Sequence, residues 1–119
     1  MRDFEWRRQS RLGMGIVLGA LAACSSAPPP EAEMSAAQTA VTAAEQADAT
    51  QYAPSDLDRA RDKLLRAQAA IQEEENEQAR RLAEQALVDA RLAEARARAE
   101  TAQQLRSEAS GDAPPALMQ

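Results

Sequence analysis

Ala79-Arg80-Arg81-Leu82-Ala83-Glu84-Gln85-Ala86-Leu87-Val88-Asp89-Ala90-Arg91-Leu92-Ala93-Glu94-Ala95-Arg96-Ala97 is the stretch that decides the fold. An α-helix turns by about 100° per residue, so Ala79, Leu82, Ala83, Ala86, Ala90, Ala93 and Ala97 fall on one face. Alanine has the highest helix propensity, and its methyl lets a neighbouring helix come close. The spacing predicts a helix over Glu77–Ala109 that ends at Ser110-Gly111, ahead of Pro114-Pro115. Glu77 with Arg81 and Glu94 with Arg98 have the i,i+4 order that supports such a helix. A second stripe of Val88, Leu92, Ala95, Ala99 and Ala102 clusters about 180° from the first. An edge helix of a small bundle should be polar there, so Val88, Leu92, Ala95 and Ala99 are the candidate docking residues.

Upstream, Leu57, Ala60, Leu64, Ala67 and Ile71 repeat at 3-4 spacing, the seam of a helix that packs on another helix. Pro54 suits its first position, where the missing N–H is no loss. Tyr52 and Leu57 have the spacing of a hydrophobic staple. Asp56 and Asp58 complement the helix N-terminus, and Asp62 with Arg66 adds an i,i+4 pair. Glu73-Glu74-Glu75-Asn76 is a tight connection, too short for a parallel return, so these two helices should pair antiparallel. Consecutive carboxylates cannot all face one ion, and no ligand-loop spacing accompanies them, so no metal site is expected. An earlier helix is predicted from Ser35, with Gln38 completing a capping box and Ala37, Ala40, Val41, Ala44 and Ala47 on one face. The residues around Gln51-Tyr52-Ala53-Pro54 fit either two separate helices or one helix kinked at Pro54. The expected fold is all-α: a small antiparallel bundle or hairpin of two to three helices.

The N-terminus reads differently. Arg2, Arg7, Arg8 and Arg11 precede an apolar run of 12 residues, Leu12 to Ala23, that contains Gly13, Gly15 and Gly19. A bilayer span needs about 20 residues, so this is a signal-peptide core rather than a permanent helix. It ends in Leu21-Ala22-Ala23-Cys24, and Cys24 is the only cysteine. The sequence resembles the lipobox of bacterial lipoproteins. The resemblance implies a diacylglycerol on the Cys24 thiol, cleavage before Cys24 and acylation of the new amino group. It also implies outer-membrane delivery, because Ser25 rather than Asp follows the cysteine. The expected layout is a signal peptide over 1–23, a lipidated Pro-rich tether over 24–34, a helical domain over 35–110 and a disordered tail over 111–119.

Composition narrows the function. Removing the signal, with its four Arg, Asp3 and Glu5, leaves 10 basic against 17 acidic side chains, a net charge of −7. Nucleic acid and anionic headgroups need a basic footprint and are poor partners. From Cys24 onward only 11 of 96 residues are Ile, Leu, Val or Phe, against 26 Ala, so stability should be modest. With the single thiol acylated, no disulfide is available. The chain has no histidine, no Gly-rich phosphate loop and no metal-ligand cluster. Its carboxylates alternate with arginines instead of forming the buried pair that acid–base catalysis needs. Neither an enzyme, a small-molecule substrate nor a cofactor other than the Cys24 lipid is expected. The only lysine, Lys63, lies inside a helix, which disfavours a murein link through a terminal lysine.

Tyr52-Ala53-Pro54, Leu57, Ala60-Arg61-Asp62-Lys63-Leu64 and Ala79-Arg80-Arg81-Leu82-Ala83-Glu84-Gln85-Ala86 together resemble a family of bacterial envelope lipoproteins, domain of unknown function 4398. The resemblance covers roughly Ser35 to Gln103. Some relatives carry an OmpA-like, peptidoglycan-binding domain that this sequence does not contain, so an OmpA-like protein in trans is one candidate partner. The first functional expectation is an outer-membrane lipoprotein, on the periplasmic face, whose helices dock an envelope protein or a second copy. The alternative is a peptide- or peptidoglycan-associated binding module built on a tetratricopeptide-like hairpin, although no 34-residue repeat is present.

Overall fold

The computed structural model describes residues 27–111. Four helices follow in order: α1 (Glu31–Gln46), the one-turn α2 (Ala49–Tyr52), α3 (Pro54–Gln72) and α4 (Asn76–Gly111). The all-α expectation holds, with three long helices and a short corner between the first two. Leu21, Ala22, Ala23 and Cys24, with the signal peptide and the tail from Asp112, lie outside the described residues.

α4 is the spine, about 54 Å long at 1.5 Å per residue, and both α1 and α3 pack on it while touching each other little. α3 runs antiparallel to α4, as the short connection requires. Lys63 Nζ donates to Asp89 Oδ2 at 2.6 Å, and Asp56, near the other end of α3, pairs with Arg96. α1 runs parallel to α4. Arg80 Nε lies 3.1 Å from Glu33 Oε1 near their starts, in contact but not aligned for a hydrogen bond. The far end of α1, at Ala43 and Gln46, lies beside Arg98 and Thr101. Arg61 Nη2 to Glu45 Oε1, 2.6 Å, ties α1 to α3.

All seven residues of the predicted α4 face are buried, as are Leu57, Ala60, Leu64 and Ala67 of α3. The α3 seam ends differently from the expectation: Ala70 is buried and Ile71 only half-buried. Fourteen of the eighteen buried apolar residues in the described region are alanine, so the helices approach closely but bury little area per residue. The large contributors are few: Leu57, Leu64, Leu82 and Val41.

The helix ends explain the turns. Pro54 does occupy the start of α3. At its other end Glu74 N–H donates to Ile71 O, and Glu75 N–H donates to Ala70 O at 2.8 Å. Those two bonds make a Schellman motif, and Glu74 supplies its left-handed residue at φ 61°. Asp48, at φ 60°, breaks the chain after α1 in the same left-handed region, so α1 and α3 are separate helices rather than one kinked rod. Tyr52 packs half-buried against the core, and its hydroxyl donates to Gln104 Oε1 at 2.9 Å.

Two expectations are corrected at the start of the domain. α1 begins at Glu31, four residues before Ser35, and no side-chain cap is made. Ser35 lies inside the helix, where its carbonyl accepts from Thr39 Oγ1. The residues just before α1 are not free tether: Pro30 is fully buried, and Asn76 Nδ2 donates to Ala27 O at 2.6 Å. Burial of Pro30 and the carboxylates Glu31 and Glu33 in the first turn favour helix there. The third correction concerns α4: Glu77 pairs with Arg80 at 3.2 Å rather than with Arg81. Arg98 pairs with Glu94 and Arg66 with Asp62, as spaced.

Candidate functional site

Around α4, Asp89 and Arg96 sit on the flank that meets α3, while Arg80 and Arg98 sit on the flank that meets α1. With the buried face between them, the remaining side of α4 has no covering helix among the described residues. That side carries the predicted stripe. Val88 is 64% exposed and Leu92 38% exposed, and Ala95, Ala99 and Ala102 are exposed too. The structure therefore brings the four docking candidates together on one open face. It is a strip on the outside of the helix, bordered by Arg81 and Glu84 at one end and by Arg106 at the other.

α4 is longer than α3, yet beyond Glu94 it is not a bare projection. Ala97 is buried, Thr101 half-buried and Gln104 held by Tyr52. The parallel packing of α1 carries its C-terminal end, and α2, past the start of α3. Residues from Ala102 onward are exposed, including Leu105 at 61%.

Sequence reasoning missed two features. One is Asp56, read as a helix-dipole charge. It is buried and held by Arg59 of its own helix and Arg96 of α4. Its position one residue before Leu57 at the core edge was the available signal. The other is an open groove of about 370 Å³ between the end of α1 and α4. Ala43, Ala47, Ala102 and Leu105 give it apolar walls, and Gln46, Asp48, Arg98 and Thr101 give it polar ones. It depends on the parallel placement of α1, which no local pattern encodes. Among the described residues no group of three or more acidic, cysteine or histidine side chains is placed to hold a metal, and no helix is long and apolar enough to cross a membrane.

The sequence model of a family described as Domain of unknown function (DUF4398) matches residues 32–109. The chain belongs to this family. The DUF4398 match takes in α1 to α3 almost entire and α4 nearly to its end, so buried core and open stripe both lie within the family region. No curated protein and no solved structure matches the chain.

Proposed function

We propose that this protein is an outer-membrane lipoprotein, on the periplasmic face, whose helical bundle is an interaction module of the cell envelope. The observation that carries the docking half is the uncovered stripe of Val88, Leu92, Ala95 and Ala99 on α4. The anchoring half rests on Leu21-Ala22-Ala23-Cys24 behind a basic and apolar leader. Two or more acyl chains make a stable anchor where one is marginal. The reading involves no catalysis and no cofactor beyond the lipid.

The test is fractionation of bacteria producing the wild type or Cys24→Ser, with the mass of the N-terminal peptide. Wild type is expected in the outer membrane with acyl mass on Cys24, and the variant is expected soluble or uncleaved. Wild type in the soluble fraction with an unmodified thiol overturns the anchor. For docking, crosslinking in intact membranes should capture an envelope partner or a second copy. A Val88→Glu, Leu92→Glu double variant that keeps its helicity should lose that capture; unchanged capture overturns the docking role.

One observation favours the alternative, a peptide-binding module. The groove beside Arg98 and Asp48 has the mixed lining of a ligand site, and its volume falls at the low end for one. Binding there would be lost on Ala102→Trp, which fills the groove, and kept in the stripe variant.

A further inference from the structure

Asn76 and Arg80 stand about one turn apart at the start of α4, and both reach the chain that leads into and begins α1. Residues four apart on a helix are neighbours on its surface. Asn76 Nδ2 donates to Ala27 O at 2.6 Å. The other half of that amide, Oδ1, is buried without a hydrogen-bond partner among the described residues. Arg80 is half-satisfied in the same way. Its Nη1 donates to Glu77 Oε1 at 3.2 Å. Its Nε is buried and unbonded, 3.1 Å from Glu33 Oε1 but not aligned with it. Among the described residues these are the two buried side-chain polar atoms that lack a partner, and they share one corner of the bundle.

A buried polar atom left unpaired costs about as much as a hydrogen bond returns, or more. Here the two unpaired atoms are complementary. Asn76 Oδ1 lacks a donor and Arg80 Nε lacks an acceptor, yet they do not bond each other.

We propose that this corner binds one water molecule, which accepts from Arg80 Nε–H and donates to Asn76 Oδ1 and to the Glu33 carboxylate. The chemistry of the three groups selects it. One donor and two acceptors require a partner that both gives and takes hydrogen bonds. An anion would meet the Glu33 carboxylate and the Asn76 oxygen, and a cation would meet the Arg80 guanidinium. A neutral O–H group suits all three, and buried water in proteins makes about three such bonds. The span suits it too. Two bonds of about 2.9 Å bridge atoms about 5 Å apart, which is the spacing of side chains on successive turns. The water joins α4 to the first turn of α1, beside the Asn76–Ala27 bond and the buried Pro30. The site depends on neither the outer stripe nor the lipid.

The test is nuclear magnetic resonance of the full chain in detergent micelles, with selective excitation of water. Asn76 Nδ2–H and Arg80 Nε–H should both show cross-relaxation with water, of the sign that marks a long-lived bound molecule. Arg80→Lys keeps a cation for Glu33 but moves the donor, and Asn76→Leu removes the acceptor. Each should abolish the signal at the residue that remains, with helicity by circular dichroism showing that the variant is folded. Should Asn76→Leu unfold, the wild-type signals and Arg80→Lys decide. A Ser25→Ala, Ser26→Ala variant tests the other source of an O–H group at this end of the chain, and the signals should survive in it. Their loss there would put a serine hydroxyl in the place of the water and overturn the proposal. No long-lived signal at Arg80 Nε–H in wild type would mean that the arginine closes on Glu33 directly, and the proposal falls. Signals that persist in both Arg80→Lys and Asn76→Leu would place the water elsewhere, with the same result.

Discussion

Arg96 of α4 reaches the buried carboxylate of Asp56 in the first turn of α3, which Arg59 also holds from within α3. The two guanidinium groups remain more than half exposed while the carboxylate is almost wholly covered. The pair therefore joins the first turn of α3 to a point on α4 that lies 40 residues later in the chain.

Asp56→Asn should lower stability by about 1.5–3 kcal/mol, the range for hydrogen bonds to a charged group. The loss should be read by urea unfolding followed by circular dichroism. Stability unchanged within error would mean that the carboxylate is not held as described.

Leu64 is 6% exposed and belongs to the buried cluster that α3 shares with α1 and α4. Leu64→Asp should cost about 2–4 kcal/mol, because an unpaired carboxylate replaces a core side chain. A variant that melts like wild type would place Leu64 in solvent and remove the basis for the α3–α4 pairing.

Glu74 occupies the left-handed position that glycine fills at most helix ends, at φ 61°. Glycine adopts that conformation without the Cβ clash. Glu74→Gly should therefore raise stability by about 0.5–1 kcal/mol, offset in part by the extra freedom of the unfolded chain. A drop in the thermal midpoint would contradict the turn geometry.

The alanines of the α4 core make a fourth expectation. Ala86 is fully buried in a contact surface built of methyl groups. Ala86→Leu should destabilise by about 1–3 kcal/mol through overpacking. Ala36→Leu, on the exposed side of α1, should change stability by less than about 0.5 kcal/mol. Equal effects from the two would mean that the interface has room to spare.

The α3–α4 hairpin was legible because its information is local: Pro54 at a helix start, 3-4 spacing in both helices, and a connection of a few residues. The outer stripe was legible for the same reason, since Val88 and Leu92 break a polar pattern. What could not be read depends on contacts distant in sequence. Pro28-Pro29-Pro30 has the composition of a spacer, yet Asn76, 49 residues away, holds Ala27 in place. Asp56 is acidic in the first turn of a helix, where surface charge is ordinary, and only the approach of Arg96 makes it a buried ion-pair centre. The direction of α1 along α4 is set by the corner at Asp48 and α2, which no periodicity reports.

The hydrogen bond from Asn76 to Ala27 limits how far the bundle can stand from any attachment point at Cys24. Only Ser25 and Ser26 separate that residue from a fixed one, a reach of about 10 Å even when fully extended. A lipid on Cys24 would therefore hold the Asn76 end of α4 against the bilayer and leave the Gly111 end, about 50 Å along the helix at 1.5 Å per residue, free to swing between lying on the surface and standing away from it.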